Sequence, residues 1–279
     1  MTECSADGGP AAPVGVFDSG VGGLAVLHEI RKQLPNEALL YVADSGFAPY
    51  GERSPSYVEQ RSAVIADFLV AEGAKAIVIA CNTATAVTAP ALRQRHAIPV
   101  VAIEPAVKPA ARASSSGVIG VLATQQTLAS PRFSRLVTEH AAGVDVLVQP
   151  CPDLVSLVER GVTSGPDVLA AVERHVRVLL GRRADTIVLG CTHFHFLRGV
   201  VETAAGAGIR VIDPGPAVAS ELRRRLAAAR LLSASPATRP VRMWTSGELA
   251  GGRELISRLW PSPVEVRQLP SAYCVPPRS

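Results

Sequence analysis

The sequence predicts an α/β protein of two similar halves, each a mostly parallel sheet flanked by helices, with a functional cleft between them. Three observations carry this. Short β-branched apolar runs alternate with helical patterns along the chain. The runs are continuous rather than alternating, as suits strands buried on both faces. The second four runs also repeat the first four in the same order.

Taken in order, strands are expected at residues 14–17, 39–43, 76–80 and 100–103, then at 118–122, 144–148, 186–190 and 210–212. Helical segments at 23–33, 56–72 and 166–180 lie between them. GVFDS (15–19) corresponds to GVLAT (120–124), and YVADS (41–45) to VLVQP (146–150). AIVIACNTA (76–84) corresponds to TIVLGCTHF (186–194), and VVAIEPA (100–106) to IRVIDPG (209–215). One such pair arises easily by chance, but four in register, at offsets of 105–110 residues, mark an internal duplication. Residues 216–231 read as a long helix, SASPATRP (233–240) as a linker, and 241–244 as a further strand. That strand is expected to return to the first half. The domains are accordingly residues 1–105 plus 215–279, and 106–214. The closing PSAYCVPPRS reads as irregular and exposed.

Composition bounds the function. With 48% hydrophobic and 19% charged residues the chain is globular rather than disordered. No apolar run approaches the roughly 18 residues of a membrane span, so no membrane partner is expected. The N-terminal MTECSADGGPAAP carries acids and no apolar core, and reads as a short mobile tail rather than an export signal. The five cysteines are widely spaced and form no CxxC, which points to reduced thiols in a cytoplasmic enzyme. The net charge of +4 comes from scattered arginines; Arg223, Arg224 and Arg225 sit beside Glu221 on a predicted helix, as a solvated face. Nucleic acid is therefore not an expected partner.

In open parallel sheets ligands bind where strand ends lead into helix N-termini. Asp18–Ser19, Asp44–Ser45, Cys81–Asn82–Thr83, Thr124 and Cys191–Thr192–His193 all fall at such ends. A thiol there meets backbone N–H groups and a helix dipole, both of which favour the thiolate. One such cysteine is most simply a small buried hydrophobe. A matched pair, Cys81 and Cys191, in duplicated positions is better explained by chemistry. Two opposed thiols suit racemisation of an amino acid, one removing the α-hydrogen and the other returning a proton to the opposite face. Asp18 is the natural partner for Cys81 and His193 for Cys191, although Asp18 alone serves equally well as a helix N-cap.

Other chemistries fit less well. DSGVGG (18–23) lacks both GxGxxG and GK[ST] spacing, so its glycines are expected to let backbone amides approach a small carboxylate, not a nucleotide phosphate. Ser19, Asn82, Thr83, Thr124, Thr127 and Thr192 would add neutral donors. Cys191, His193 and His195 suggest zinc, but the strand turns to helix among them and their side chains diverge; no metal is expected. Pyridoxal phosphate needs a Schiff-base lysine, and Lys32, Lys75 and Lys108 all read as surface residues.

These residues resemble the glutamate racemases of the aspartate/glutamate racemase superfamily. The match runs from about residue 14 to about 220, through VFDSGVGGL, ADSGFAPYGERS, VIACNTA, GVLATQQT, CPDLVSLVERG and LGCTHF. The resemblance implies two α/β domains with pseudo-twofold symmetry and a cofactor-free two-thiol interconversion of L- and D-glutamate, the latter feeding peptidoglycan. It implies that Cys81 and Cys191 are the catalytic pair, assisted by Asp18, His193 and Glu159. Substrate contacts carry over to Asp18, Ser19, Tyr50, Gly51, Asn82, Thr83, Thr124, Thr192 and His193, and the family's habit implies a homodimer. Two departures stand out. Phe194, His195 and Phe196 replace the family's usual aromatic, proline and leucine after GCTH, and Ala123 lies where a second threonine is common. Cys151, in a recurrent CP element, is implied to be structural. The rivals are a racemase acting on aspartate or a hydantoin, and a zinc- or nucleotide-binding regulatory module using the same cleft.

Overall fold

The computed structural model describes residues 9–277. Most of the expected N-terminal tail, with Cys4, lies outside the described residues. The first four strands are β1 (Val14–Asp18), β2 (Leu39–Ala43), β3 (Ala76–Ile79) and β4 (Val100–Ala102), alternating with α1 (Leu24–Gln33), α2 (Pro55–Ala71) and α3 (Asn82–Arg95). After α4 (Val107–Ala113) come β5 (Val118–Ala123), α5 (Gln125–Leu128), α6 (Pro131–His140), β6 (Asp145–Pro150), α7 (Pro152–Glu159) and α8 (Pro166–Gly181). They are followed by β7 (Thr186–Leu189), α9 (Arg198–Ala205) and β8 (Arg210–Ile212). The chain then adds α10 (Gly215–Ala228), β9 (Val241–Thr245), α11 (Leu249–Leu259) and β10 (Val266–Gln268).

One sheet has the order β10-β9-β2-β1-β3-β4 and the other β6-β5-β7-β8, with every pairing parallel. The order β2-β1-β3-β4 matches β6-β5-β7-β8 strand for strand. The duplication seen in the sequence is thus a repeat of topology. Each sheet is covered on both faces, as parallel sheets require. Leu27, Ile30, Leu222 and Leu226 place α1 and α10 on one face of the larger sheet, and Ile65, Leu69 and Leu92 place α2 and α3 on the other. On the smaller sheet α7, α8 and α9 cover one face through Leu154, Val172 and Val201, and α4 and α6 the other through Val107 and Phe133.

Three sequence expectations are corrected. The strand expected at 144–148 is an edge strand with an open outer side, and Val148 is 49% exposed. A buried strand and an edge strand of similar composition look alike when no partner is known. The segment after residue 240 returns to the first sheet as expected, through β9 on β2, but it also carries α11 and an outer β10. Gly251 and Gly252 lower helix propensity in α11, and β10 is only three residues long, so neither gave a clear periodic signal.

The third correction is Lys75, which is not a surface lysine. It is buried at the amino end of β3, with Nζ 2.5 Å from Glu37 Oε2 and 2.6 Å from the Pro10 carbonyl. Glu37 Oε1 also accepts the Ser233 N–H, which ties the linker to this end of the sheet. Removing one partner of a buried pair leaves an uncompensated charge. Lys75→Met is therefore expected to lower unfolding free energy by about 3–5 kcal/mol, measured by urea denaturation. A loss under about 1 kcal/mol would mean that solvent reaches Glu37 freely. Lys32 and Lys108 are exposed as expected.

Candidate active site

The carboxyl ends of β1, β3, β5 and β7 open into the gap between the sheets and enclose a cavity of about 190 Å³. Ser19, Tyr50, Gly51, Cys81, Asn82, Thr83, Thr124, Cys191, Thr192 and His193 all line it. Asp18 and Glu159 stand behind the wall. Pro49, Glu52, Gln125, Pro150, Pro152, Val155 and Ser156 complete the lining; they lie within the quoted motifs and repeat segments but are not singled out there as site residues. Pockets for drug-sized ligands run to about 300–1,000 Å³, so this cavity suits a small metabolite better than a nucleotide. Cys81 follows β3 and Cys191 follows β7, so topologically equivalent strands deliver both thiols to one small cavity.

The two thiols sit in different surroundings. Cys81 caps α3, accepting the Ala84 N–H at 3.4 Å, and its Sγ donates to Ser19 Oγ at 3.7 Å. Ser19 Oγ in turn donates to Asp18 Oδ1 at 3.3 Å. Burial, and after it the charge of Asp18, push the Cys81 thiol well above its ordinary range, against the pull of Ala84 and Ser19. The expectation that the helix end would favour a thiolate here is corrected: burial, with the charge of Asp18 behind it, outweighs the Ala84 N–H and Ser19, and Cys81 holds its proton. Burial also raises the Asp18 carboxyl, with Glu159 adding to it, while His193, Cys81 and Gly23 lower it.

On the opposite side Cys191 Sγ lies 3.6 Å from His193 Nδ1, and His193 Nε2 lies 2.6 Å from Glu159 Oε1. Burial opposes a charged imidazole, but Cys191 and Glu159 outweigh it and hold His193 well above its ordinary value. Burial likewise opposes a charged Glu159, while His193 and the Val21 N–H bring its carboxyl below the usual range. This side is a carboxylate–imidazolium pair set against the Cys191 sulfur. The two sides are also joined across the gap, because Thr192 Oγ1 donates to Asp18 Oδ2 at 3.3 Å and Val21 N–H to Glu159 Oε1 at 3.1 Å.

The glycine loop between them has a role the sequence did not reveal. Its amides do meet carboxylates, but these are the protein's own: Asp18 accepts the N–H groups of Ser19 and Gly23 at 2.7 and 2.5 Å. Asp18 thus ties the glycine turn that leads into α1, but the N-cap reading is corrected: the cap is Gly23, with no side-chain cap hydrogen bond. A Cβ at Gly22 would lie 2.6 Å from His193 Nδ1, and one at Gly20 would overlap the Glu159 carboxylate. The glycines admit His193 and Glu159 from the other half of the molecule. Buried Tyr41 donates to the Gly20 carbonyl at 2.8 Å and fixes the loop from below. In the sequence it reads only as a strand residue.

Neutral donors gather as expected. Thr83 and Thr124 hydroxyls are 3.0 Å apart and Thr124 and Thr127 2.9 Å, so the first and second halves share one hydroxyl cluster. Asn82 is buried, and neither its Oδ1 nor its Nδ2 has a protein partner. An unpartnered amide on a cavity wall is costly unless something polar meets it there. Tyr50 contributes its ring to the wall, but its hydroxyl donates to Asp44 Oδ2 at 2.5 Å. Gly51 approaches Thr124 so closely that a Cβ would sit 3.1 Å from the Thr124 Cβ.

His195 points away from the thiols to Asp213, at 3.2 Å, within the short turn Thr192–Leu197. The zinc reading thus loses a ligand, and among the described residues no cluster of three or more His, Cys, Asp or Glu converges. Cys151 is fully buried, its thiol donates to the Gln149 carbonyl, and burial pushes it well up, as suits a structural thiol. None of the three lysines lines the cavity.

Comparison with known proteins is consistent throughout. A family model described as Asp/Glu/Hydantoin racemase matches residues 14–222. The glutamate racemase of Pseudomonas syringae pv. tomato is 52% identical over 236 residues, covering 84% of this chain and 86% of that one. The crystal structure of glutamate racemase isoform RacE1 from Bacillus anthracis superposes with a TM-score of 0.84 at 31% identity, over 93% of this chain and 97% of that one. The Escherichia coli glutamate racemase, solved with L-glutamate and the activator UDP-MurNAc-ala, gives a TM-score of 0.82 at 32% identity, over 92% and 97%.

Proposed function

The chain belongs to the Asp/Glu/Hydantoin racemase family, and we propose that it interconverts L- and D-glutamate without a cofactor, Cys81 and Cys191 acting as paired acid and base. The observation that supports this most is the delivery of two thiols by equivalent strands to one small cavity, each with its own proton relay. In one direction Cys191 takes the α-hydrogen while Cys81 gives its proton to the other face. In the reverse direction the roles exchange. The Glu159–His193 pair stabilises negative charge on Cys191 and returns its proton. On the other side Asp18, through Ser19, takes and returns the Cys81 proton rather than stabilising its thiolate. The Asn82 amide and the threonine hydroxyls meet the charged groups of the substrate, and the small cavity shields the carbanion from water.

On this reading the site lies between a domain of residues 1–105 plus 215–279 and one of residues 106–214. The protein is a cytoplasmic homodimer that supplies D-glutamate for peptidoglycan. Incubation with L-glutamate in deuterated water is expected to give loss of optical rotation with one α-deuterium in the product, with no addition of cofactor or metal. Inversion of aspartate in place of glutamate would move the substrate assignment to the neighbouring activity. Failure to exchange the α-hydrogen of either would overturn the racemase mechanism.

A further inference from the structure

Arg61 has no exposed side-chain surface and does not line the cavity. A buried guanidinium needs acceptors for its five fixed donors. Its Nε and Nη2 donate to the two oxygens of Asp44 at 3.0 and 2.6 Å. Its Nη1 donates to the backbone carbonyls of Tyr273 and Val275 at 2.9 and 3.0 Å. The plane is stacked over Phe47, 3.6 Å from the ring centroid. At its far side the same Asp44 accepts the Tyr50 hydroxyl, and Tyr50 walls the cavity beside Pro49, Gly51 and Glu52. An unbroken chain of charge-assisted hydrogen bonds therefore runs from the C-terminal segment to the wall of the site.

The segment is seated independently of Arg61. The Tyr273 ring meets Phe68 edge-on, 5.0 Å between centroids, and Phe68 and Arg61 lie two turns apart on α2. A buried ion pair adds little net stability once desolvation is counted, yet it fixes geometry strongly. Here the fixed geometry is that of the loop 45–52. Gly46 N–H is held by Ser246 Oγ at 3.1 Å, and Gly51 abuts Thr124 of the other half. The Asp44–Tyr50 bond is the link that aims the middle of this loop at the cavity.

We infer that the C-terminal segment Tyr273–Val275 is a positioning element for the substrate-facing loop, acting through Arg61 and Asp44 on Tyr50. Neither Arg61 nor the segment touches substrate. The kinetic form of the inference rests on the glutamate reading, whereas its structural form does not.

The test uses full-length Tyr273→Ala, which removes the ring that seats the segment, with Tyr273→Phe as the conservative variant that keeps it. Amide hydrogen exchange over residues 45–53 includes the Phe47 and Arg53 N–H groups, which bond to the Asp44 and Tyr50 carbonyls. In Tyr273→Ala this segment is expected to exchange about tenfold faster while β5–β8 are unchanged. KM for glutamate should rise about tenfold with kcat within about threefold, and Tyr273→Phe should match the parent protein. Unchanged exchange over 45–53, a uniform rise over the whole chain, or a fall in kcat at constant KM would each overturn the inference. If Tyr273→Ala does not fold, Arg61→Lys is measured instead, since one ammonium cannot span Asp44 and both carbonyls; the same outcomes decide. If the parent protein does not racemise glutamate, the proposed function fails, and the exchange measurement still decides the positioning role.

Discussion

Cys81→Ser and Cys191→Ser are each expected to lower kcat for racemisation by about 10²–10⁴-fold in both directions, the range that positioned acid–base groups contribute. A hydroxyl fits the space of a thiol, so the fold and the cavity are preserved. It is a far weaker acid, however, and neither the Ala84 N–H at Cys81 nor the His193 imidazolium at Cys191 makes an alkoxide accessible at neutral pH. Both directions suffer because each needs one sulfur as base and the other as acid. The variants should still differ in one respect. A protein retaining only one thiol can remove the α-hydrogen from the enantiomer facing it and return a solvent proton to the same face. Each variant is thus expected to wash deuterium into one enantiomer of glutamate, a different one in each case, without inversion. Initial rates by circular dichroism and deuterium content by mass spectrometry give both readings. If either variant inverts glutamate at more than about a tenth of the parent rate, the two-thiol assignment fails.

What the sequence disclosed about this site follows from what a linear pattern can encode. Strand ends and helix starts are local, so Cys81, Cys191, Asp18 and His193 were placed correctly at the carboxyl ends of their strands, and the repeat was visible because it preserves local order. Partnerships across the gap are not local. Nothing in DSGVGG says that Gly22 is bare because His193, some 170 residues later, must pass it. Lys75 and Arg61 were unreadable for a similar reason. A charged side chain reads as exposed until its partner is known, and theirs are Glu37 and Asp44, in the loops before and after β2. Tyr50 was placed at the cavity, but the direction of its hydroxyl depends on Asp44, and the orientation of Asp44 on Arg61 and the C-terminal segment. The asymmetry between the two thiols is also a product of three dimensions. Repeated sequence delivers them alike, yet one meets a carboxylate through Ser19 and the other an imidazolium.

That asymmetry sets the form of the second large effect. Asp18→Asn and His193→Asn are each expected to slow racemisation by about 10²-fold or more, and the Asp18 variant by the larger factor. Asp18 accepts four donors, from Ser19 N and Oγ, Gly23 N and Thr192 Oγ1. An amide in its place must turn an NH₂ against at least one of them, so the glycine turn and the Cys81 relay are disturbed together. Overall rates cannot tell which thiol has been affected. Enantiomers have equal energy, so the equilibrium constant is unity and any variant must retain equal kcat/KM in the two directions. The isotope effects are free of this constraint. If Asp18 serves Cys81, proton transfer at Cys81 becomes the slow step in Asp18→Asn. The α-deuterium isotope effect then rises for the enantiomer deprotonated by Cys81, and falls for the other, whose slow step is now reprotonation and whose solvent isotope effect grows instead. His193→Asn should show the mirror image, with the two enantiomers exchanged. Substrate isotope effects that change in the same sense for both variants would show that Asp18 and His193 act on one common step. The link from Thr192 to Asp18 would then be a working part of the relay, and the separate pairing of each thiol would fall.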